Sequence, residues 1–372
     1  MNLAIFSPSQ NPYSETFIQA HKNYIKADKL YYIYGGSLQN MTIENNGLLI
    51  NPKIKLALKA IAKLTRKDFK KSIENEVSKQ LKQLKIDVAL VEYGTHAMRL
   101  FPALIKANIP FVVHFHGYDA SRQEVLDKND NYKALFKAAT YVISVSTVMN
   151  DKLLKLGCPE EKLIYNVYGA NPIFKKHEPK FSKKQAVAIG RFVDKKAPYY
   201  TILAFKKVLN KHPEAQLLMA GQGALWPTCK NLIKYLNLEN NVKLLGVVTP
   251  DKVAQLMQQS YCFVQHSITA ESGDQEGTPL AVLESALSGL PVVSTNHAGI
   301  PDVIEHEKTG LLCDEHDVDH MSKNLIRIFD DVNYAKQLGQ EARKVHIKKF
   351  SLEKHIKSLE DTLNKAVSKS FS

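Results

Sequence analysis

Short apolar runs alternate along the chain with longer segments of 3.6-residue period. In the first half Leu3–Phe6, Leu30–Tyr34, Val88–Val91, Phe111–Phe115 and Tyr141–Val145 read as strands. In the second half Ala186–Ile189, Gln216–Ala220, Val242–Leu245, Cys262–Gln265 and Pro291–Ser294 read the same way. Several are apolar at consecutive positions, as parallel strands covered on both faces are. Between them the pattern predicts helices, among them Pro198–Lys211 and Asp251–Gln259. Strand and helix in alternation predict an α/β fold of doubly wound parallel sheets. The break between two such sheets falls at Asn171–Lys184, which holds Pro172, Pro179 and five lysines and little apolar content. One Rossmann-like domain is therefore expected over 1–175 and a second over 184–351, with a helix in 352–372 packing back on the first. Ligands of such sheets bind beyond the carboxyl ends of the strands, so two facing domains would enclose a cleft there.

Composition narrows the class. The 372 residues are 44% apolar and 23% charged, which excludes disorder, a collagen repeat and a disulfide scaffold. No apolar run approaches the roughly 18–20 residues of a membrane span. The stretch Met1–Pro8 lacks the basic flank and long apolar core of a signal peptide and reads as a first buried strand, while isolated, mostly apolar-flanked cysteines suit a reducing cytoplasm, the location expected. Cys158, Cys229, Cys262 and Cys313 stand apart, without the C-x-x-C pair of a zinc ribbon or redox motif. The net charge of +13 is uneven, with +10 in residues 1–182 and +3 in 183–372. Lys53–Lys85 alone carries 11 Lys/Arg against three acids. Within it Phe69, Ile73, Val77, Leu81 and Leu84 recur at helical spacing. That stripe suits a core-facing helix with a solvated basic face. It also suits an amphipathic helix on the anionic inner surface of a membrane.

Three segments could carry chemistry. Residues 271–284 read Glu-Ser-Gly-Asp-Gln-Glu-Gly-Thr-Pro-Leu-Ala-Val-Leu-Glu. Thr278 suits an N-cap and Pro279 a first helical position, and N–H groups at Thr278–Leu280 would bind a phosphate. Glu276 stands at the mouth of that helix and Glu284 inside it, placed to hold a ribose diol. Two lone glutamates would read as a solvated loop; the Gly277-Thr278-Pro279 helix start between them changes that. The second segment is Gly190-Arg191-Phe192-Val193-Asp194-Lys195-Lys196, directly after a strand. Its guanidinium and ammonium groups suit a diphosphate, although by itself it reads as a charged surface turn. The third is His114-Phe115-His116-Gly117-Tyr118-Asp119. His-x-His can bind metal, but no third ligand is evident nearby, so one structural histidine and one facing the cleft are expected. Gly221-Gln222-Gly223 lacks the third glycine of an NAD fingerprint, and no P-loop or G-x-S-x-G elbow is present.

Together these segments resemble the GT-B retaining glycosyltransferases of glycosyltransferase family 4. The resemblance rests on Glu276 and Glu284 with seven residues between them, on Gly190, Arg191 and Lys196, and on His116-Gly117. It extends to Ser-Gly-Leu-Pro-Val-Val (288–293), Gly-Ile-Pro-Asp-Val-Ile (299–304), Thr-Gly-Leu-Leu (309–312) and the interdomain stretch 168–174. Ser14-Glu15-Thr-Phe-Ile and His-Gly-Tyr-Asp resemble a bacterial subgroup that builds surface polysaccharides. Two departures are the glycine-free loop Ser7–Ser14 after the first strand and Ala197 where the family usually has glycine.

The resemblance implies transfer of a sugar, with retained configuration, from a nucleotide-diphosphate donor to a glycan or lipid-linked glycan. Arg191, Lys196 and the helix start would stabilise the leaving diphosphate. Glu276 would orient the sugar and Glu284 hold the ribose. Gly246 and Val247 would meet the base, and His116 would touch the donor from the first domain. Tyr118, Asp119, Ser14 and Glu15 would line the acceptor side. The cationic pair and the helix start could take the place of a divalent ion, so neither metal nor other cofactor is expected. A GT-B sugar-nucleotide epimerase or other GT-B enzyme is the alternative. A basic nucleic-acid-binding protein is disfavoured because no aromatic platform interleaves the charge.

Overall fold

The apolar runs form strands of two separate sheets, both in the core of their own unit. The computed structural model describes residues 1–10, 15–66 and 68–369. One compact unit comprises Met1–Val145, Met149–Asn166 and the chain from Ile356 on; the other comprises Ser146–Val148 and Val167–His355.

The first unit contains β1 (Asn2–Ser7), β2 (Lys29–Tyr34), β3 (Thr42–Ile43), β4 (Gly47–Leu48), β5 (Val88–Glu92), β6 (Phe111–His114), β7 (Tyr141–Ser144) and β8 (Leu163–Tyr165). Their order is β4-β3-β2-β1-β5-β6-β7-β8. The hairpin of β3 and β4 is antiparallel at one edge, and the remaining pairs are parallel. The basic stretch is two helices rather than one. Pro52–Thr65 ends at Arg66 in the left-handed region, and Phe69–Gln83 restarts with Asp68 capping the N–H of Lys70. The second helix buries Ile73, Val77 and Leu81 and packs on helix Gly94–Ala107, so that stripe faces the core.

The second unit contains β9 (Gln185–Ile189), β10 (Gln216–Ala220), β11 (Val242–Gly246), β12 (Cys262–Val264), β13 (Val292–Thr295) and β14 (Gly310–Cys313), all parallel in the order β11-β10-β9-β12-β13-β14. Ala186, Leu217, Val264 and Val293 of the sheet meet Ile202 and Phe205 of helix Pro198–Val208 and Leu325, Ile328 and Phe329 of helix Val318–Asp330. Four strands, β3, β4, β8 and β14, were not among those predicted. The first two are two-residue pieces of an antiparallel hairpin, too short for a periodic signal, and the others are the sheet-edge strands β8 and β14. All four cysteines are buried and free.

The final helix, Leu352–Lys369, begins with the second unit and from Ile356 on belongs to the first. Leu359, Leu363 and Ala366 are buried, the Lys26 N–H donates to Glu360 at 2.7 Å, and the Lys369 ammonium lies 5.4 Å from the Tyr141 ring centroid. Among the described residues no helix is long and apolar enough to cross a membrane.

Candidate functional site

In the second sheet β9 is flanked by β10 and β12, so the order reverses beside it. The loops leaving β9 and β12 at such a point form the usual ligand site of an open α/β sheet. They are the Gly190–Lys196 and Gln265–Gly277 segments.

Lys196 ties these loops together. Its Nζ donates to Gln265 Oε1 at 3.1 Å and lies 3.3 Å from Glu276 Oε2. The neighbouring Lys195 is buried and binds Asp274 Oδ1 and the Gln275 carbonyl, both at 2.9 Å. Burial opposes ionisation of Glu276, but Lys196 and Lys195 outweigh it and bring its pKa down to about 2. Burial also pulls the Lys196 pKa below its ordinary value against the Glu276 charge. Glu276 Oε1 is buried and receives no hydrogen bond among the described residues. Arg191, one residue past Gly190, is exposed and makes no ion pair among them. Gly190, Arg191 and Lys196 line one pocket with Thr201, Met219 and Gln265.

The glycines discounted as a failed dinucleotide motif set this geometry. A Cβ on Gly221 would stand 1.8 Å from the Gly190 carbonyl oxygen, and one on Gly223 2.3 Å from that of Phe192. The close approach lets Phe192 donate to Gln222 and Leu225 to Phe192, both at 2.9 Å, which holds the Arg191 loop against the β10 exit. Ala197 sits at φ +34°, in the left-handed region. That explains a glycine preference at this position.

The other loop is held from β13 and β14. The Glu276 N–H donates to His297 Nε2 at 3.1 Å, while His297 Nδ1 faces Glu315 Oε1 at 2.6 Å. The accepting Nε2 places the ring proton on Nδ1. Glu315 also accepts from the Thr269 N–H at 2.7 Å. Gly299 donates to the Gly277 carbonyl at 3.0 Å, and a Cβ on it would lie 2.2 Å from that oxygen.

The helix beyond begins one residue later than expected. It spans Leu280–Ser288 with Pro279 in extended geometry as its cap, so Thr278 is not the N-cap. Proline has no N–H, so of the stretch Thr278–Leu280 only Thr278 and Leu280 present one. Glu284 lies in the second turn, partly buried, with no hydrogen bond or ion pair among the described residues; burial raises its pKa to about 7. Gly246 closes β11 at φ +74° with open space where a Cβ would be, and Val247 beyond it is 46% exposed.

In the first unit the histidine segment leaves β6. His116 Nε2 donates to Glu92 Oε2 at 2.7 Å, and its ring stacks on Phe17 with centroids 4.5 Å apart. Glu92, at the end of β5, is fully buried and takes His21 Nδ1 on its other oxygen at 2.7 Å. Burial opposes its charge, but His21, His114 and His116 hold the carboxyl well below the ordinary range. His114 is pushed by burial to about 3. A third group beside the His-x-His pair thus exists, contrary to expectation: ligating atoms of His21, Glu92 and His114 lie within 4.8 Å of one another. The contacts of His21 and His116 to Glu92, at 2.7 Å, are shorter than the roughly 3.3 Å edge of a tetrahedral zinc site, and the cluster reads as a hydrogen-bonded network.

Asp119 does not face outward. It is fully buried, accepts the N–H groups of His116 (3.0 Å), Gly117 (3.1 Å) and Gly94 (2.8 Å), and so holds the loop that carries His116. Tyr118 is half-buried with its hydroxyl 3.0 Å from Thr95 Oγ1. Tyr93, which the sequence did not single out, stands at φ +71°, donates to Glu15 Oε1 at 2.8 Å, and packs on His116 and Tyr118. Glu15, His116 and Tyr118 therefore gather around one ring. Ser14 lies outside the described residues.

Comparison with known proteins adds the family. Residues 58–166 match the family model for Glycosyltransferase Family 4, and residues 170–345 match Glycosyl transferases group 1. The amylovoran biosynthesis glycosyltransferase AmsK of Erwinia amylovora is 30% identical over 259 residues, covering 68% of this chain and 63% of that protein. The putative colanic acid biosynthesis glycosyltransferase WcaL of Escherichia coli K12 is 30% identical over 217 residues, covering 57% of this chain and 53% of that protein. The chain thus matches under two thirds of the length of either relative. The crystal structure of Anabaena Alr3699/HepE in complex with UDP-glucose aligns over 98% of this chain and 100% of that one, with a TM-score of 0.77 at 17% identity. The fold is GT-B.

Proposed function

The chain belongs to the group 1 and family 4 glycosyltransferases, and on that footing we propose that it moves a hexose-type sugar, with retained configuration, from a nucleotide diphosphate to a glycan or lipid-linked glycan. The product belongs to a bacterial surface polysaccharide, a reading supported by a relative named for amylovoran biosynthesis. UDP is favoured over GDP because a protein of the same fold holds UDP-glucose. Peripheral residence at the inner face of the cell membrane is part of the same reading.

One observation carries it: Lys196 draws Glu276 into a buried pair beside the exposed Arg191, leaving Glu276 Oε1 without a donor among the described residues. A buried acceptor without a donor costs about 1–3 kcal/mol, and a sugar hydroxyl would supply one. Breaking the glycosidic bond builds negative charge on the diphosphate. Arg191, Lys196 and the N–H groups of Thr278 and Leu280 meet that charge with fixed dipoles and cations. This set does the work of a divalent ion, and turnover is expected to persist in chelator. The acceptor attacks from the face the diphosphate leaves, and the diphosphate takes its proton. Glu284 is the ribose ligand, Gly246 and Val247 meet the base, and His116 contacts the donor, held in place by Glu92. Glu15 and Tyr118 serve the acceptor side.

Calorimetric titration with UDP, GDP and NAD tests this, repeated for Glu284→Ala. Binding of UDP, weakened by the substitution, is expected. Binding of GDP instead would change the donor. Binding of neither by folded protein would overturn the transferase reading while leaving the fold.

A further inference from the structure

Helix Pro52–Thr65 is apolar on more of its circumference than the first unit covers. At about 100° per residue, positions four apart form stripes along a helix. Ile54, Leu58 and Ala62 form one stripe, with Ala62 buried and the other two half-buried. Leu56, Ala60 and Leu64 form a second on the opposite side, and Ile61 lies between it and Ile54, on the flank away from the lysines. Here Leu56 is 69%, Ile61 49% and Leu64 83% exposed. Between the stripes runs a third, Lys55, Lys59 and Lys63. Lys53 and Arg66 flank the helix ends, and no acidic residue lies between Pro52 and Arg66. Lys55 donates to Asn40, while the ammonium groups of Lys59 and Lys63 make no ion pair among the described residues.

We propose that this outer face of helix Pro52–Thr65 seats the protein on an anionic lipid surface. The apolar stripe enters the headgroup–acyl boundary, and the lysines beside it reach up to lipid phosphates along their aliphatic stems. The charge chooses the occupant. A row of lysines without a single acid beside an exposed leucine row is complementary to an anionic bilayer, where each basic residue contributes about 1 kcal/mol. The same row repels a second copy of itself. The neighbouring helix Phe69–Gln83, which carries the more regular stripe in the sequence, spends that stripe on the core and contributes no apolar face.

The test is flotation of the full chain with vesicles of phosphatidylglycerol and phosphatidylethanolamine, in the absence of any sugar nucleotide. This seating rests on the membrane residence included in the proposed function; failure of the test would remove that residence and leave the transfer reaction untouched, because no donor is involved. Wild type is expected to float with these vesicles and not with phosphatidylcholine. Leu56→Ser with Leu64→Ser should weaken binding about tenfold or more. Lys59→Glu with Lys63→Glu should abolish the preference for anionic lipid, and high salt should weaken wild-type binding. All four side chains are exposed, so thermal unfolding of both variants should match wild type, and a variant that fails this check is replaced by Leu64→Ser alone. Wild type that stays at the bottom of the gradient overturns the proposal. So do variants that float as well as wild type, and so does a concentration-dependent dimer that the leucine substitutions dissolve.

Discussion

Lys196 has two acceptors, Gln265 and Glu276, and removing its ammonium leaves both buried without it. Lys196→Ala is therefore expected to lose about 1–3 kcal/mol of stability and about 10²–10³-fold in turnover, read by thermal unfolding and by sugar transfer. Glu284 tests the opposite situation, a carboxyl with no cation partner among the described residues. Its folded pKa stands raised to about 7, so its favourable contribution is complete below the ordinary carboxyl range near 4.5 and is lost as pH rises through 7. Glu284→Gln should match wild type at pH 4 and exceed it at pH 8, by up to about 3 kcal/mol, less where water reaches the carboxyl. Unfolding titrations at the two pH values decide it; equal differences at both would remove the assignment. Ala197, at φ +34°, offers a gain instead. Ala197→Gly should raise stability by up to about 1 kcal/mol, because glycine adopts this conformation without a Cβ clash.

At the scale of elements, the site depends on how two strand exits lie against each other. Gly221→Ala puts a methyl 1.8 Å from the Gly190 oxygen, so the β9 and β10 exits must separate. We expect about 2–4 kcal/mol of destabilisation and loss of nucleotide binding, measured by unfolding and calorimetry. This dependence also shows what a sequence carries. The strands were legible because β1, β5, β9 and β10 are unbroken apolar runs, and the charged loops after β9 and β12 were legible because chemistry-bearing residues follow those runs directly. The tie between Gly221 and Gly190 was not, since it joins backbones thirty-one positions apart that meet only through sheet pairing. Glu92 was hidden for the same reason. It ends an apolar strand, and the imidazoles that satisfy it stand at 21, 114 and 116. His297 and Glu315, which hold Glu276, come from the ends of two further strands. Regular elements announce themselves in local periodicity, whereas the braces that aim a loop arise between distant elements.

Across the whole molecule the chain leaves the first unit, builds the second, and returns. The returning helix supplies Leu359, Leu363 and Ala366, all buried, so the first unit lacks part of its apolar cover without it. Deleting 356–372 should lower the unfolding temperature and expose the first unit to limited proteolysis; an unchanged digestion pattern would deny the helix that role. The path has a consequence for synthesis. The ribosome makes Met1–Asn166 first, yet the segment that completes this unit follows the whole of Val167–His355. The first half of the newborn protein must therefore wait, partly uncovered, while the second half is translated.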